Sequence, residues 1–127
     1  MENLAIQGST GEYFVPTVNF DANTGKCTIS GESYLEDSVA FYEPLLGWLE
    51  AYMNTKKGPI EFEFKLTYFN TSSSKRIIDI FRLLKQYENQ NGKVVVNWYY
   101  EDDDTDILEE IEDFTLISKL KINVITF

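Results

Sequence analysis

The stretch from residue 60 to residue 100 restricts the possible folds of this chain more than any other part of it. Ile60-Glu61-Phe62-Glu63-Phe64-Lys65-Leu66-Thr67-Tyr68 alternates apolar and polar side chains with a period of two, the pattern of a strand with one covered face. From about Ser72 to Glu88 the period becomes that of a helix, with Ile77, Ile80, Phe81, Leu84 and Tyr87 on one face and Arg76, Asp79, Lys85 and Gln86 largely off it. Val94-Val95-Val96-Asn97-Trp98-Tyr99-Tyr100 is then a nearly continuous apolar and aromatic run, which reads as a central strand covered on both faces. Strands separated by a helix imply parallel pairing through a right-handed crossover, so the chain is expected to be α/β.

The flanking segments extend this plan. Leu4-Ala5-Ile6, Thr17-Val18-Asn19-Phe20 and Lys26-Cys27-Thr28-Ile29 read as an opening β-meander, with Asp21 to Gly25 supplying a hairpin turn and Gly31 ending it. From about Glu36 to Met53, two helical rows, Phe41-Leu45-Trp48-Tyr52 and Tyr42-Leu46-Leu49-Met53, make an apolar stripe wider than one helix face needs. Most of it is core, and part of Tyr42, Trp48, Tyr52 or Met53 is expected to face a partner. Pro44, which has no backbone N–H, predicts a kink or a restart in this helix. The acidic run Glu101 to Asp106 leads into a third helix carrying Ile107, Leu108, Ile111 and Phe114, with Asp104 as its cap. That run has neither the spacing nor the central glycine of an EF-hand, so no metal site is read there. Lys121 to Phe127 gives a last strand. The expected architecture is one α/β domain over residues 1–127, a mixed β-sheet packed with three helices.

Charge and composition exclude several functions. With 21 acidic against 11 basic residues the net charge is -10, which repels a phosphate backbone and argues against nucleic acid or an anionic membrane surface as partner. A protein partner is expected instead. There is no histidine, so Cys-His and Ser-His nucleophile pairs and His-ligated zinc are excluded. No pair of carboxylates stands out as an acid–base couple, and the chain is read as a non-enzyme without cofactor. Cys27, the single cysteine, permits no internal disulfide and reads as a small core residue. The first residues lack the basic and apolar regions of a secretory signal, and no run approaches ~18 apolar residues, so the expected location is the cytoplasm.

The functional expectation centres on Asn70-Thr71-Ser72-Ser73-Ser74-Lys75-Arg76, where the strand hands over to the second helix. One hydroxyl suffices to cap a helix, yet four occur in a row, leaving others for solvent or a partner. Lys75 and Arg76 lie near the helix start, where the macrodipole disfavours cations, so the segment suits an anion received at the helix terminus. A phosphoryl group on Thr71, a partner's carboxylate or a nucleotide phosphate would each serve. The glycines of a nucleotide-binding loop are missing, which removes nucleotide hydrolysis. Asn70-Thr71-Ser72 also fits the glycosylation triplet, a match taken as accidental in a chain without a secretory signal. Two further readings stay open from the residues alone: a constitutive adaptor whose hydroxyls are only caps, and a small-ligand-binding domain.

Three blocks in order, Ile29-Ser30-Gly31-Glu32-Ser33-Tyr34, Phe41-Tyr42-Glu43-Pro44-Leu45-Leu46-Gly47-Trp48-Leu49 and Tyr68-Phe69-Asn70-Thr71-Ser72-Ser73-Ser74-Lys75, resemble the SiaC family of bacterial regulatory phosphoproteins. The resemblance implies a fold like the STAS, or anti-sigma-factor-antagonist, domains. It further implies a partner switch in which a dedicated kinase phosphorylates a threonine, here Thr71, and a metal-dependent serine/threonine phosphatase reverses it. The unphosphorylated form would bind and activate a diguanylate cyclase, raising cyclic-di-GMP and promoting biofilm. Asn70, Thr71, Ser72, Ser73, Lys75 and Arg76 are then the expected partner-binding residues. Pro44 fits the family pattern, whereas Leu35 stands where the family usually has proline.

Overall fold

The computed structural model describes all 127 residues. The elements follow in the order β1 (Leu4–Ile6), β2 (Thr17–Phe20), β3 (Lys26–Ser33), α1 (Ser38–Thr55), β4 (Ile60–Phe69), α2 (Thr71–Asn89), β5 (Val94–Tyr100), α3 (Thr105–Ser118) and β6 (Ile122–Thr126). They form one six-stranded sheet whose spatial order is the chain order, β1-β2-β3-β4-β5-β6. The first two pairings are antiparallel and the last three parallel, as the expected mixed sheet requires.

Sequential order fixes where the helices go. Each right-handed crossover from β3 onward advances by one strand in the same direction, which puts α1, α2 and α3 on the same face of the sheet. β4 records this directly: Ile60, Phe62, Phe64 and Leu66 are buried, whereas Glu61, Lys65 and Thr67 are exposed. The core lies between helices and sheet, where Phe64 stacks on Phe62 and Trp98, and Trp98 on Phe114. Each fully buried aromatic side chain of this kind contributes about 1.5–3 kcal/mol relative to exposure.

Five expectations change. β5 is not covered on both faces, because every helix lies on one side; Val95 is 47% exposed, and Tyr99 turns away from the core to donate to Glu63 Oε2 at 3.1 Å. Nor is it flanked as deeply as expected, since only β6 lies beyond it. Gly31 does not end β3; at φ +98° it sits at a register shift beside Glu32, and the strand continues to Ser33. α1 passes through Pro44 without a restart, since Pro44 and Ala40, whose carbonyl it leaves free, are both exposed and water can take up the unpaired oxygen. The wide stripe of α1 is core rather than partner surface. Tyr42, Tyr52 and Met53 are buried, and half-buried Trp48 stacks on Tyr52 while donating its indole N–H to Glu2 O at 2.8 Å. Both rows are used because α1 packs against the sheet, against α2 and beneath the N-terminal segment.

Cys27 is buried in β3, as a core residue should be, and burial, with Asp21 nearby, pushes its thiol pKa far up. No helix is long and apolar enough to cross a membrane.

Candidate functional site

The parallel strands β3, β4 and β5 all point the same way, so the three helix starts that follow them gather at one edge of the sheet. That is the edge at which open α/β sheets usually receive ligands and partners. Each start is capped by a side chain: Asp37 accepts from Ala40 N at 3.0 Å, Asn70 from Ser73 N at 3.1 Å and Asp104 from Ile107 N at 3.1 Å. Asp104 was the cap expected for α3. For α2 the cap is Asn70 rather than a hydroxyl, and the helix accordingly begins at Thr71 instead of Ser72. The two outer helices thus carry an anionic cap. The central one carries a neutral cap and no acidic residue in its first turn, so its positive end is the least compensated of the three.

With capping assigned to Asn70, the four consecutive hydroxyls divide sharply. Ser73 is fully buried: its hydroxyl donates to Ser33 O at 3.1 Å and accepts from the Ser33 hydroxyl at 2.9 Å. Ser74 donates to Thr71 O at 2.8 Å. Ser72 is exposed but engaged, donating to Asn70 Oδ1 at 3.3 Å and lying 2.7 Å from the Ser38 hydroxyl. Thr71 alone is both exposed and outside this network.

The donors can be counted through. Because the Ser33 proton goes to Ser73, the 2.8 Å contact between Tyr42 and Ser33 must have the tyrosine as donor. Burial pushes the Tyr42 pKa up to about 12, with the Ser33 hydrogen bond opposing the rise, so the phenol keeps the proton that this role needs. By the same reasoning, Ser72 gives its proton to Asn70, so Ser38 donates to Ser72. Asn70 closes the set: its Nδ2 donates to Leu35 O at 3.3 Å and its backbone N–H to Ser33 O at 3.0 Å. A fully satisfied polar network therefore ties β3, the start of α1 and the start of α2 together directly beneath Thr71.

The two cations also separate. Arg76 is half-buried, with Nε 3.2 Å from Asp79 Oδ2, an ion-pair contact whose angle is not that of a hydrogen bond. Lys75 is exposed and takes part in none of the chain's three ion pairs. It lies four residues after Thr71, hence on the same helix face. Between the starts of α1 and α2 a groove of about 260 Å³ is lined by Asp37, Ser38, Val39, Ser72, Lys75 and Arg76, among others.

Of the residues singled out from the sequence, Thr71, Ser72 and Lys75 lie at the surface, Asn70 and Arg76 are half-buried, and Ser73 belongs to the interior. A direct partner contact through Ser73 is incompatible with that burial. Ser33, Ser38 and Tyr42 were not recognised as members of the site. The available signals were a serine closing a buried strand and a tyrosine hydroxyl within an otherwise apolar stripe.

A one-sided α/β layer with a hydroxyl-rich helix start at the strand ends is consistent with a STAS-like fold. The family model described as "SiaC family regulatory phosphoprotein" matches residues 9–127, and the chain belongs to that family. It is 29% identical over 114 residues to an uncharacterized protein of Pseudomonas aeruginosa (strain UCBPP-PA14), covering 90% of this chain and 88% of that one. It is also similar to SiaC of Pseudomonas aeruginosa, at 26% identity and a TM-score of 0.89 over the whole of both chains, and to the apo form of SiaC at 26% and 0.85 over 98% and 99%. A chain in the crystal structure of the diguanylate cyclase SiaD in complex with its activator SiaC, from the same organism, shares the fold at 24% identity, with a TM-score of 0.86 over 96% of this chain and 100% of that one.

Proposed function

We propose that this chain is a non-enzymatic partner-switch protein that binds and activates a diguanylate cyclase, and that reversible phosphorylation of Thr71 controls the binding. The family's description as regulatory phosphoproteins and the complex of SiaC with SiaD support the two halves of this reading. The observation that carries it onto one residue is the division of the hydroxyls: Ser72, Ser73 and Ser74 are engaged, and Thr71 is the exposed one left over.

A kinase would transfer the terminal phosphoryl group of a nucleoside triphosphate to Thr71 Oγ1. The new P–O bond forms as the bond to the leaving diphosphate breaks, and the hydroxyl proton passes to a base on the kinase. A phosphatase would return the hydroxyl by hydrolysis. The phosphate, with about -1.5 to -2 charges, sits on a helix start that lacks an anionic cap and faces an unpaired Lys75, so the folded chain accommodates it. A cyclase surface fitted to the uncharged threonine would instead meet a bulky, hydrated dianion, and desolvating that group weakens the complex. Asn70 would act as the cap that presents Thr71, with Ser72, Lys75 and Arg76 bordering the contact.

Two measurements test the reading. Intact mass of the protein isolated from its host should reveal a singly phosphorylated species that disappears in Thr71→Ala. In a binding assay with the host's diguanylate cyclases, Thr71→Ala should retain its cyclase and Thr71→Glu should lose it. Equal capture of both variants, or no phosphorylated species under any growth condition, would contradict the reading.

A further inference from the structure

Resting on Thr71 as the phosphoacceptor, we propose that Ser38 and Ser72 form a two-position hydroxyl relay that passes the state of Thr71 to α1, making the exposed first turn of α1 part of the switched surface. Ser38 is the first residue of α1 and is buried, and its hydroxyl has two acceptors within reach. One is Ser72 Oγ at 2.7 Å, the other Ser73 Oγ at 3.3 Å. The short contact describes the unmodified state.

Ser72 is the movable member. Its own proton is held only by the 3.3 Å bond to Asn70 Oδ1, among the longest of the set, and Asn70 keeps Ser73 N–H on that oxygen if Ser72 leaves. A phosphate on the adjacent Thr71 offers a charged acceptor, and hydrogen bonds to ionised acceptors are roughly twice as strong as neutral ones. Rotation of Ser72 toward that phosphate deprives Ser38 of its acceptor. A buried hydroxyl donor left unpaired costs about 1–3 kcal/mol, so Ser38 re-aims at Ser73. Ser73 has a free acceptor position, since it uses one for Ser33 and spends its proton on Ser33 O.

Closing the 3.3 Å gap draws the first turn of α1 toward α2. That turn carries Val39, 54% exposed, and the exposed Ala40, beside the groove that Lys75 and Arg76 also line. The relay therefore makes Ser38 and Ser72 positioning residues: neither need touch the partner, yet together they set where Val39 presents itself. The phosphate changes two surfaces, its own and that of α1.

The test uses the full chain with phosphothreonine genetically encoded at position 71, so that its outcome does not depend on any kinase. Amide resonances of Val39 and Ala40 are compared between the phosphorylated and unmodified chains in wild type, Ser72→Ala and Ser72→Thr. The relay requires a shift at Val39 and Ala40 in wild type, its loss in Ser72→Ala, and its return in Ser72→Thr, which restores the hydroxyl. Absence of the shift in wild type overturns the proposal, as does a shift of equal size in Ser72→Ala. Either result leaves the cyclase switch itself standing, because that reading is judged by cyclase binding and by native phosphorylation.

Discussion

At the scale of single residues, Asn70 and Thr71 are neighbours with opposite duties. Asn70 holds the helix start through Ser73 N–H and reaches back to Leu35 O, whereas the Thr71 side chain supports nothing in the fold. Asn70→Ala should therefore cost about 1 kcal/mol, the usual value of a lost N-cap, in urea denaturation. Thr71→Ala should stay within about 0.5 kcal/mol of wild type, as exposed substitutions generally do. Comparable destabilisation by both would mean that Thr71 has a structural role that its exposure does not suggest. Tyr42→Phe removes one donor from the buried network while keeping the ring, and should cost about 1 kcal/mol. None of these roles could be assigned from local sequence, because Asn, Ser and Thr are all good caps and the partners that decide between them are far away in the chain. Ser73 meets Ser33 across 40 positions and Ser72 meets Ser38 across 34. No periodicity reports contacts of that kind.

At the scale of elements, the strands and helices were largely legible because period two and period 3.6 each leave a direct mark on the apolar pattern. The buried face of α2 matches its pattern, and β4 follows its alternation except at Glu63, which is buried, and Tyr68, which is 48% exposed. The reading of β5 went astray for a physical reason. An aromatic side chain can sit on a half-open sheet face when its polar tip is satisfied, as Tyr99 does with Glu63 on one side and Lys65 5.2 Å from its ring on the other. A run of apolar letters does not distinguish this from burial on both faces. α1 offers a direct check on the role of Pro44. Because the helix continues through this exposed position, Pro44→Ala should restore the missing bond to Ala40 O and raise stability by about 1 kcal/mol or more in thermal or urea denaturation. A loss of stability would mean that the ring packs against something the exposed position does not suggest.

At the scale of the whole molecule, sequential strand order makes the domain two-sided: helices and core on one face, a solvated polar sheet on the other, and the helix starts along one edge. The largest depression, about 510 Å³ and lined by Asn3, Asn19, Asp21, Lys26 and Glu61 among others, lies toward the starts of β3 and β4, at the opposite end of the strands from Thr71. That depression is thus separate from the smaller groove that Ser38, Ser72, Lys75 and Arg76 line at the helix starts. The core offers a probe of global stability in Cys27, which is buried and whose thiol pKa is raised by desolvation. Its reaction with a thiol reagent at neutral pH should follow the rate of global unfolding, and fast labelling under native conditions would show that β3 opens locally.

The central claim is that the charge on Thr71 decides whether the cyclase is bound. The most direct measurement is a calorimetric titration of the purified diguanylate cyclase with the unmodified chain and with the chain phosphorylated at Thr71, under identical salt. A difference of ~3 kcal/mol in binding free energy, more than a hundredfold in affinity in favour of the unmodified form, is the expected result. Equal affinities for the two forms would contradict the account.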